Sequence, residues 1–442
     1  MGPQVDPVAC DDRLPAQADV VVVGGGIIGV SAAFFLSRKG VSVVLCEKGQ
    51  IAAEQSSRNW GWCRKMGRDP REIPLIIESL KLWSGMNEMV GSETGFRTTG
   101  IMYLCDTEQE EAQRAAWLEH ARPYQLDTRM IGSDEIARLL PGASRQFRAA
   151  LYTPSDGRAE PQKAAPAIAA AARKLGATVI AGCAVRGIET AGGRVCAVMT
   201  EKGRIACSSV LLASGAWSRL FCGNLGLKLP QLKVRSSVLR TEPLDGAPEV
   251  AAAGPGFAFR KRQDGGYTVA NLHASVAEMV PDSFRLMFDF LPLWRSSETR
   301  VRVRIGNRFL EEWRTPRRWD NAGASPFEAT RMLDPEPITA VNNDALQALR
   351  KSFPVFEQAR IAQQWAGLID VTPDAVPVIS PVAAIPGFFV ATGFSGHGFG
   401  IGPAAGRLAA DIVTSSPPIV DPAAFRFERF AESPRPRPMM GV

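Results

Sequence analysis

Only three histidines occur in 442 residues, and the eight cysteines form no CxxC pair. Without Cys/His spacing of the kind zinc needs, a zinc site is excluded. A disulfide framework is not called for either. A chain this long buries a large core unaided, so free thiols in a reducing cytosol are expected. No apolar run approaches the roughly 20 residues of a membrane span. Residues 1–17 carry Asp6, Asp11 and Asp12 and no apolar core, which is not the pattern of a signal peptide. A strong charge of one sign is also lacking. Lys and Arg number 51 against 45 Asp and Glu, a net of +6, too mild to argue for nucleic acid. These absences point to a cytoplasmic globular protein. Its composition is ordinary, 45% hydrophobic and 22% charged, and its length suggests two or three domains.

What is present begins with ADVVVV at 18–23, a β-branched run suited to a strand buried on both faces of a parallel sheet. Gly24-Gly25-Gly26-Ile27-Ile28-Gly29 follows, then a helical pattern from Val30 to Lys39 that stops at Gly40. A second strand, VSVVLC at 41–46, ends at Glu47. Gly24 allows the tight turn, Gly26 the approach of a pyrophosphate, and Gly29 close packing of helix on strand. The helix N-terminus offers N–H groups to phosphates. Glu47, 21 residues after Gly26, can accept ribose hydroxyls and would repel a 2′-phosphate. The motif thus predicts an adenine-dinucleotide site without choosing between NAD and FAD.

Further elements are expected downstream. They are a helix over 159–175, strands at 178–185, 195–200 and 209–214, and a strand at 388–392. The last runs into Gly393-Phe394-Ser395-Gly396-His397-Gly398-Phe399-Gly400, with a helix expected over 403–413. Four glycines in eight residues opening a helix set N–H groups and a positive dipole end against bound charge. Segments 98–104 and 235–241 read as strands of an antiparallel sheet, and 108–122 as a charged helix.

Several stretches together resemble the D-amino-acid oxidase, glycine oxidase and sarcosine oxidase family of FAD-dependent C–N oxidoreductases. They are VVVGGGIIGVSAAFFLSRKG with CEK, VLLASGAWS, WAGLIDVTPDAVPVIS (365–380) and GFFVATGFSGHGFGIGPAAG (387–406). EQSSR (54–58), RGIET (186–190), WSRLF (217–221), FLPL (290–293), SPFE (325–328) and QWAG (364–367) look most like the bacterial membrane-associated L-amino-acid deaminases. The resemblance implies an α/β fold: a Rossmann-like, glutathione-reductase-like FAD-binding domain (18–97, 155–230, 361–430). Beside it stands a discontinuous antiparallel-sheet substrate domain (98–154, 231–360) that includes an inserted module at 282–321. Tails occupy 1–17 and 431–442, the latter Pro-rich and expected to fray.

The resemblance also implies residue roles. Gly24, Gly26, Ile28, Gly29, Glu47 and Lys48 would hold the ADP part of a non-covalent FAD. Ser56, Ser57 and Arg58 would lie along its pyrophosphate and ribityl chain. Val185 would meet the adenine, and Ala213, Gly215 and Trp217 would border the adenosine and phosphate end. Gly393, Gly396, His397, Gly398 and Phe399 would line the flavin, which takes a hydride from carbon next to an amine; water then hydrolyses the imine. The electron acceptor would be O2 or a respiratory chain.

The substrate half departs from the pattern. The deaminases' carboxylate-anchoring glutamine is Trp62 here, and their arginine falls at Leu272 or His273. The sarcosine oxidases' lysine after Gly-His-Gly-Phe is Gly400. Their Gly-x-x-Arg stretch is matched by Gly61-Trp62-Cys63-Arg64. Arg64 is therefore either a bidentate handle for an anionic group on a small amine substrate or the partner of a local acid such as Asp69. Trp62 either walls the pocket or packs in the core, and His273 either orients substrate or is structural. An N-alkyl amino acid substrate, or a flavin subunit of a larger complex, is the alternative. The Arg-rich module at 281–319, with Phe284, Phe288, Phe290 and Trp294, reads as a solvated face with an active-site lid, or as a peripheral membrane contact.

Overall fold

The computed structural model describes residues 2–272, 274–294, 302–432 and 437–439. Among them, six strands form one sheet in the order Val378–Pro381, Phe388–Thr392, Ser209–Leu212, Val20–Val23, Val43–Cys46, Thr178–Ile180. All neighbours are parallel except the first pair. The apolar runs explain it: Val20–Val23 sits mid-sheet with every side chain buried. Helix Ile27–Arg38 packs on this sheet, flanked by helices Pro161–Lys174 and Gly398–Val413.

Two expected elements differ. The strand read over 178–185 is two. Thr178–Ile180 ends the parallel sheet, Gly182 turns at φ +55°, and Val185–Ala191 starts a separate three-stranded antiparallel sheet. The helix read from 403 begins at Gly398, with Pro403 inside its first two turns. Pro403, the sixth residue of the helix, lies beyond the first-turn amides that have no helical partner, so it removes one helical hydrogen bond there.

The second large sheet has ten strands, mostly antiparallel, drawn from residues 101–153, 232–278, 302–304 and 361–371. Its longest pairing sets Leu232–Thr241 against Ile361–Val371, with Ser236 opposite Gly367. By pairing, Ile361–Val371 therefore belongs to this sheet. Phe257, Phe259, Phe353, Phe356 and Tyr267 fill the core on one side of it.

The module is docked on this sheet. Leu286, Phe290 and Leu293 bury against Val371. Asp282 pairs with Arg219 (2.7 Å) and Arg317 (2.8 Å), while Glu312 takes Lys233 (3.0 Å) and Arg308 (2.6 Å). Several of its arginines are thus engaged inward rather than solvated. Its outer face keeps Phe288 and Trp313 about two-thirds exposed. Arg295 and Arg300 lie outside the described residues. In the C-terminal tail, the Arg437 carbonyl accepts from the Arg71 guanidinium (3.1 Å) and Met439 N–H donates to the Asp69 carboxylate (3.2 Å), while 433–436 lie outside the described residues. All eight cysteines are unpaired. Among the described residues no cluster could hold a metal, and no helix is long and apolar enough to cross a membrane.

Candidate active site

The first strand ends at Gly24, whose φ of +109° disfavours any side chain. A Cβ there would lie 2.5 Å from the Ala213 carbonyl oxygen, so the chain must pass bare. Glu47, at the end of the second strand, accepts the N–H groups of Gly25 and Gly49, each at 2.7 Å. Burial pushes its carboxyl up, against the pull of those two donors. Gly26 caps helix Ile27–Arg38 with no side chain, and Ile27 N–H donates to Ser56 Oγ at 2.8 Å.

A cavity of about 380 Å³ joins these segments. Gly24, Gly26, Ile28, Glu47, Lys48, Ser56, Arg58, Val185, Ala213, Gly215, Trp217, Gly396, His397, Gly398 and Phe399 line it, with Trp62 and Arg64. Gly29 is in the adjoining helix, where a Cβ would strike the Gly24 carbonyl. Ser57 is buried behind the wall, its carbonyl accepting from Gln162. Gly393 turns at φ +76°, its N–H donating to Asp370 at 2.7 Å. His273 lies outside the described residues; its neighbour Leu272 lines the cavity.

Charged side chains on the wall mostly have partners. Arg58 is almost fully buried and pairs with Asp334 (2.7 Å), and Arg331 pairs with Glu201. Lys48 pairs with Glu54 (3.0 Å) and lies 4.3 Å from the Trp217 ring centroid, while Trp217 Nε1 donates to the same Glu54. Arg68, Glu72 and His397 form a group that sequence reading did not find. Glu72 Oε2 is 3.1 Å from Arg68 Nη1 and 3.3 Å from His397 Nδ1. Burial alone would raise Glu72, but His397 and Arg68 hold it below its usual range. Burial pushes the His397 imidazole down, against the pull of Glu72. Arg68 also explains Gly400: its Nη2 is 3.1 Å from where a Cβ at 400 would stand.

Arg64 is the exception. Among the described residues it has no carboxylate partner, and Asp69 instead pairs with Arg71 (2.7 Å). Its Nη1 donates to the Met66 carbonyl, and its guanidinium lies 5.7 Å from the Tyr103 ring centroid. Trp60, Trp62 and Tyr103 form the adjoining aromatic wall, with centroids 5.5 and 6.1 Å apart. Beneath the loop, buried Asp156 accepts from Lys65 N–H at 2.8 Å, and burial pushes its carboxyl up to about 7.

The family described as FAD dependent oxidoreductase (DAO) matches residues 19–412. Glycine oxidase from Pseudomonas putida is 27% identical over 421 residues, covering 92% of this chain and 97% of that protein. Mitochondrial dimethylglycine dehydrogenase from Mus musculus is 24% identical, but the chain spans only 43% of it. The structure of L-amino acid deaminase from Proteus myxofaciens in complex with anthranilate is 35% identical. It superposes with a TM-score of 0.94, covering 98% of this chain and 97% of that one. The chain therefore belongs to the DAO family of FAD-dependent oxidoreductases. It is an enzyme of amino-acid C–N bond oxidation, with FAD as its cofactor. The bare Gly24 turn and the buried Glu47 carboxyl fit the ADP half of that cofactor.

Proposed function

We propose that the substrate is a small amine or amino acid bearing an anionic group, and that Arg64 holds this group. The carrying observation is charge balance: Arg58, Arg68 and Arg331 on the cavity wall each have a carboxylate, and Arg64 has none among the described residues. An uncompensated, half-buried guanidinium favours an incoming anion. FAD, when bound, supplies the hydride acceptor. Gly24, Gly26, Ile28, Gly29, Glu47 and Lys48 hold its ADP part, with Ser56, Ser57 and Arg58 along the chain between its halves. Val185, Ala213, Gly215 and Trp217 border the adenosine, and Gly393, Gly396, His397, Gly398 and Phe399 the ring. The aromatic wall of Trp60, Trp62 and Tyr103 excludes water, which disfavours the charged ammonium and favours the neutral amine that reacts. Matched substrates with and without the anionic group test the reading. Arg64→Met lowers kcat/KM roughly ten- to a hundredfold for the first only. Equal loss on both would refute the handle.

The module supports a peripheral membrane contact, where a respiratory acceptor would be at hand. Phe284, Phe288, Ile305, Leu310 and Trp313 are exposed there beside exposed Arg302 and Arg304. Sedimentation with anionic and with neutral vesicles tests it: binding is expected to the anionic ones only, and Trp313→Ser should weaken it. The eight unpaired cysteines support a cytoplasmic location.

A further inference from the structure

A forked Arg64 fills about two of a carboxylate's acceptor sites and leaves others open. One arm of its fork already donates to the Met66 carbonyl, and a carboxylate accepts up to about four hydrogen bonds. A second side-chain donor, Tyr103, stands on the same wall. It lies in the strand Ile101–Cys105, is 3% exposed, and lines the cavity. Its hydroxyl has no hydrogen-bond partner among the described residues. It is not sealed within the protein, so its donor is free for a ligand. Trp62 Nε1 is also unpartnered, but it is sealed within the protein, where a ligand cannot reach it.

The phenol is held in place. The Arg114 guanidinium is 4.5 Å from its ring centroid and the Arg64 guanidinium 5.7 Å. Gly67 brings Arg64 and Tyr103 together. Its missing Cβ would lie 3.0 Å from Tyr103 Cε2 and 3.3 Å from Arg64 Nη1, and its φ of +68° also disfavours a side chain. We propose that Tyr103 is a second anchor for the substrate carboxylate: its O–H donates to the same group that Arg64 pairs with. This rests on the reading of Arg64 above. It narrows the anionic group to a planar carboxylate, which a guanidinium and a phenol can share.

The test uses the FAD-loaded enzyme and two probes of one shape, anthranilate and its neutral amide. Binding is followed by calorimetry and by the visible flavin spectrum. Wild type should prefer anthranilate. Tyr103→Phe, which removes one oxygen and keeps the ring, should weaken anthranilate roughly ten- to a hundredfold. It should leave the amide, the flavin content and Tm unchanged. If Arg64→Met loses anthranilate selectively and Tyr103→Phe does not, the second anchor is overturned and the Arg64 reading stands. If Arg64→Met weakens both probes equally, or wild type shows no preference, the Arg64 reading falls and the shared site with it.

Discussion

Glu72 and Arg68 form an ion pair at 3.1 Å with both side chains almost wholly removed from water. One turn of chain places them four residues apart, and the pair closes under the first turn of helix Gly398–Val413, where Arg68 Nη2 reaches the His397 carbonyl at 3.3 Å. Such a pair adds little by existing but costs much when half is removed, because the survivor is left charged and dry. Glu72→Gln should lower stability by about 3–5 kcal/mol, read from urea midpoints with FAD saturating. The double variant Arg68→Met/Glu72→Leu should recover most of that loss. A double variant no more stable than the single would show that the pair is not the unit of stability here.

Asp156 gives a stability that depends on pH. Its carboxyl titrates near 7 in the fold and near about 3.9 in the unfolded chain, so the unfolded chain loses this proton first. The contribution of the neutral carboxyl is fully present below about pH 4 and declines as pH rises to 7, by about 4 kcal/mol at most. Unfolding measured across that window should show the decline in wild type and a flatter profile in Asp156→Asn. Parallel profiles would mean that the group is already ionised in the fold.

Glu47 fastens two backbone amides and faces the cavity. Glu47→Ala should therefore loosen FAD, with a raised dissociation constant in equilibrium dialysis. Val20–Val23 and its neighbours should still fold, because their packing does not involve this carboxylate. Unchanged retention would dismiss Glu47 as a ribose contact.

The sequence showed the dinucleotide site because all its signals are local. A β-branched run, three spaced glycines, a helix and an acid fit within 30 residues, and each has one physical reason. The site around Arg64 was legible only in part. Its spacing was visible, but its lack of a counter-charge was not, since that depends on Asp69 turning to Arg71. Glu72 meets His397 across 325 residues of chain, a separation that no spacing rule spans. Tyr103 sits in IMYLC, which reads as core and is buried throughout, so its place beside Arg64 shows only in the fold. The strand 361–371 was not read from the sequence at all; only its pairing with Leu232–Thr241 shows which sheet it joins.

That last strand has a practical meaning. Its far end, Asp370, grips Gly393 at the cavity while its length is woven beside Leu232–Thr241. The two sheets thus share a stitch, not a hinge. Cutting the gene between them would strip Leu232–Thr241 of a partner along its whole length and expose a long edge ready to pair with other chains. Fragments or swapped halves made at that seam would clump before they could be assayed. Engineers wishing to exchange the substrate side should carry 361–371 with it.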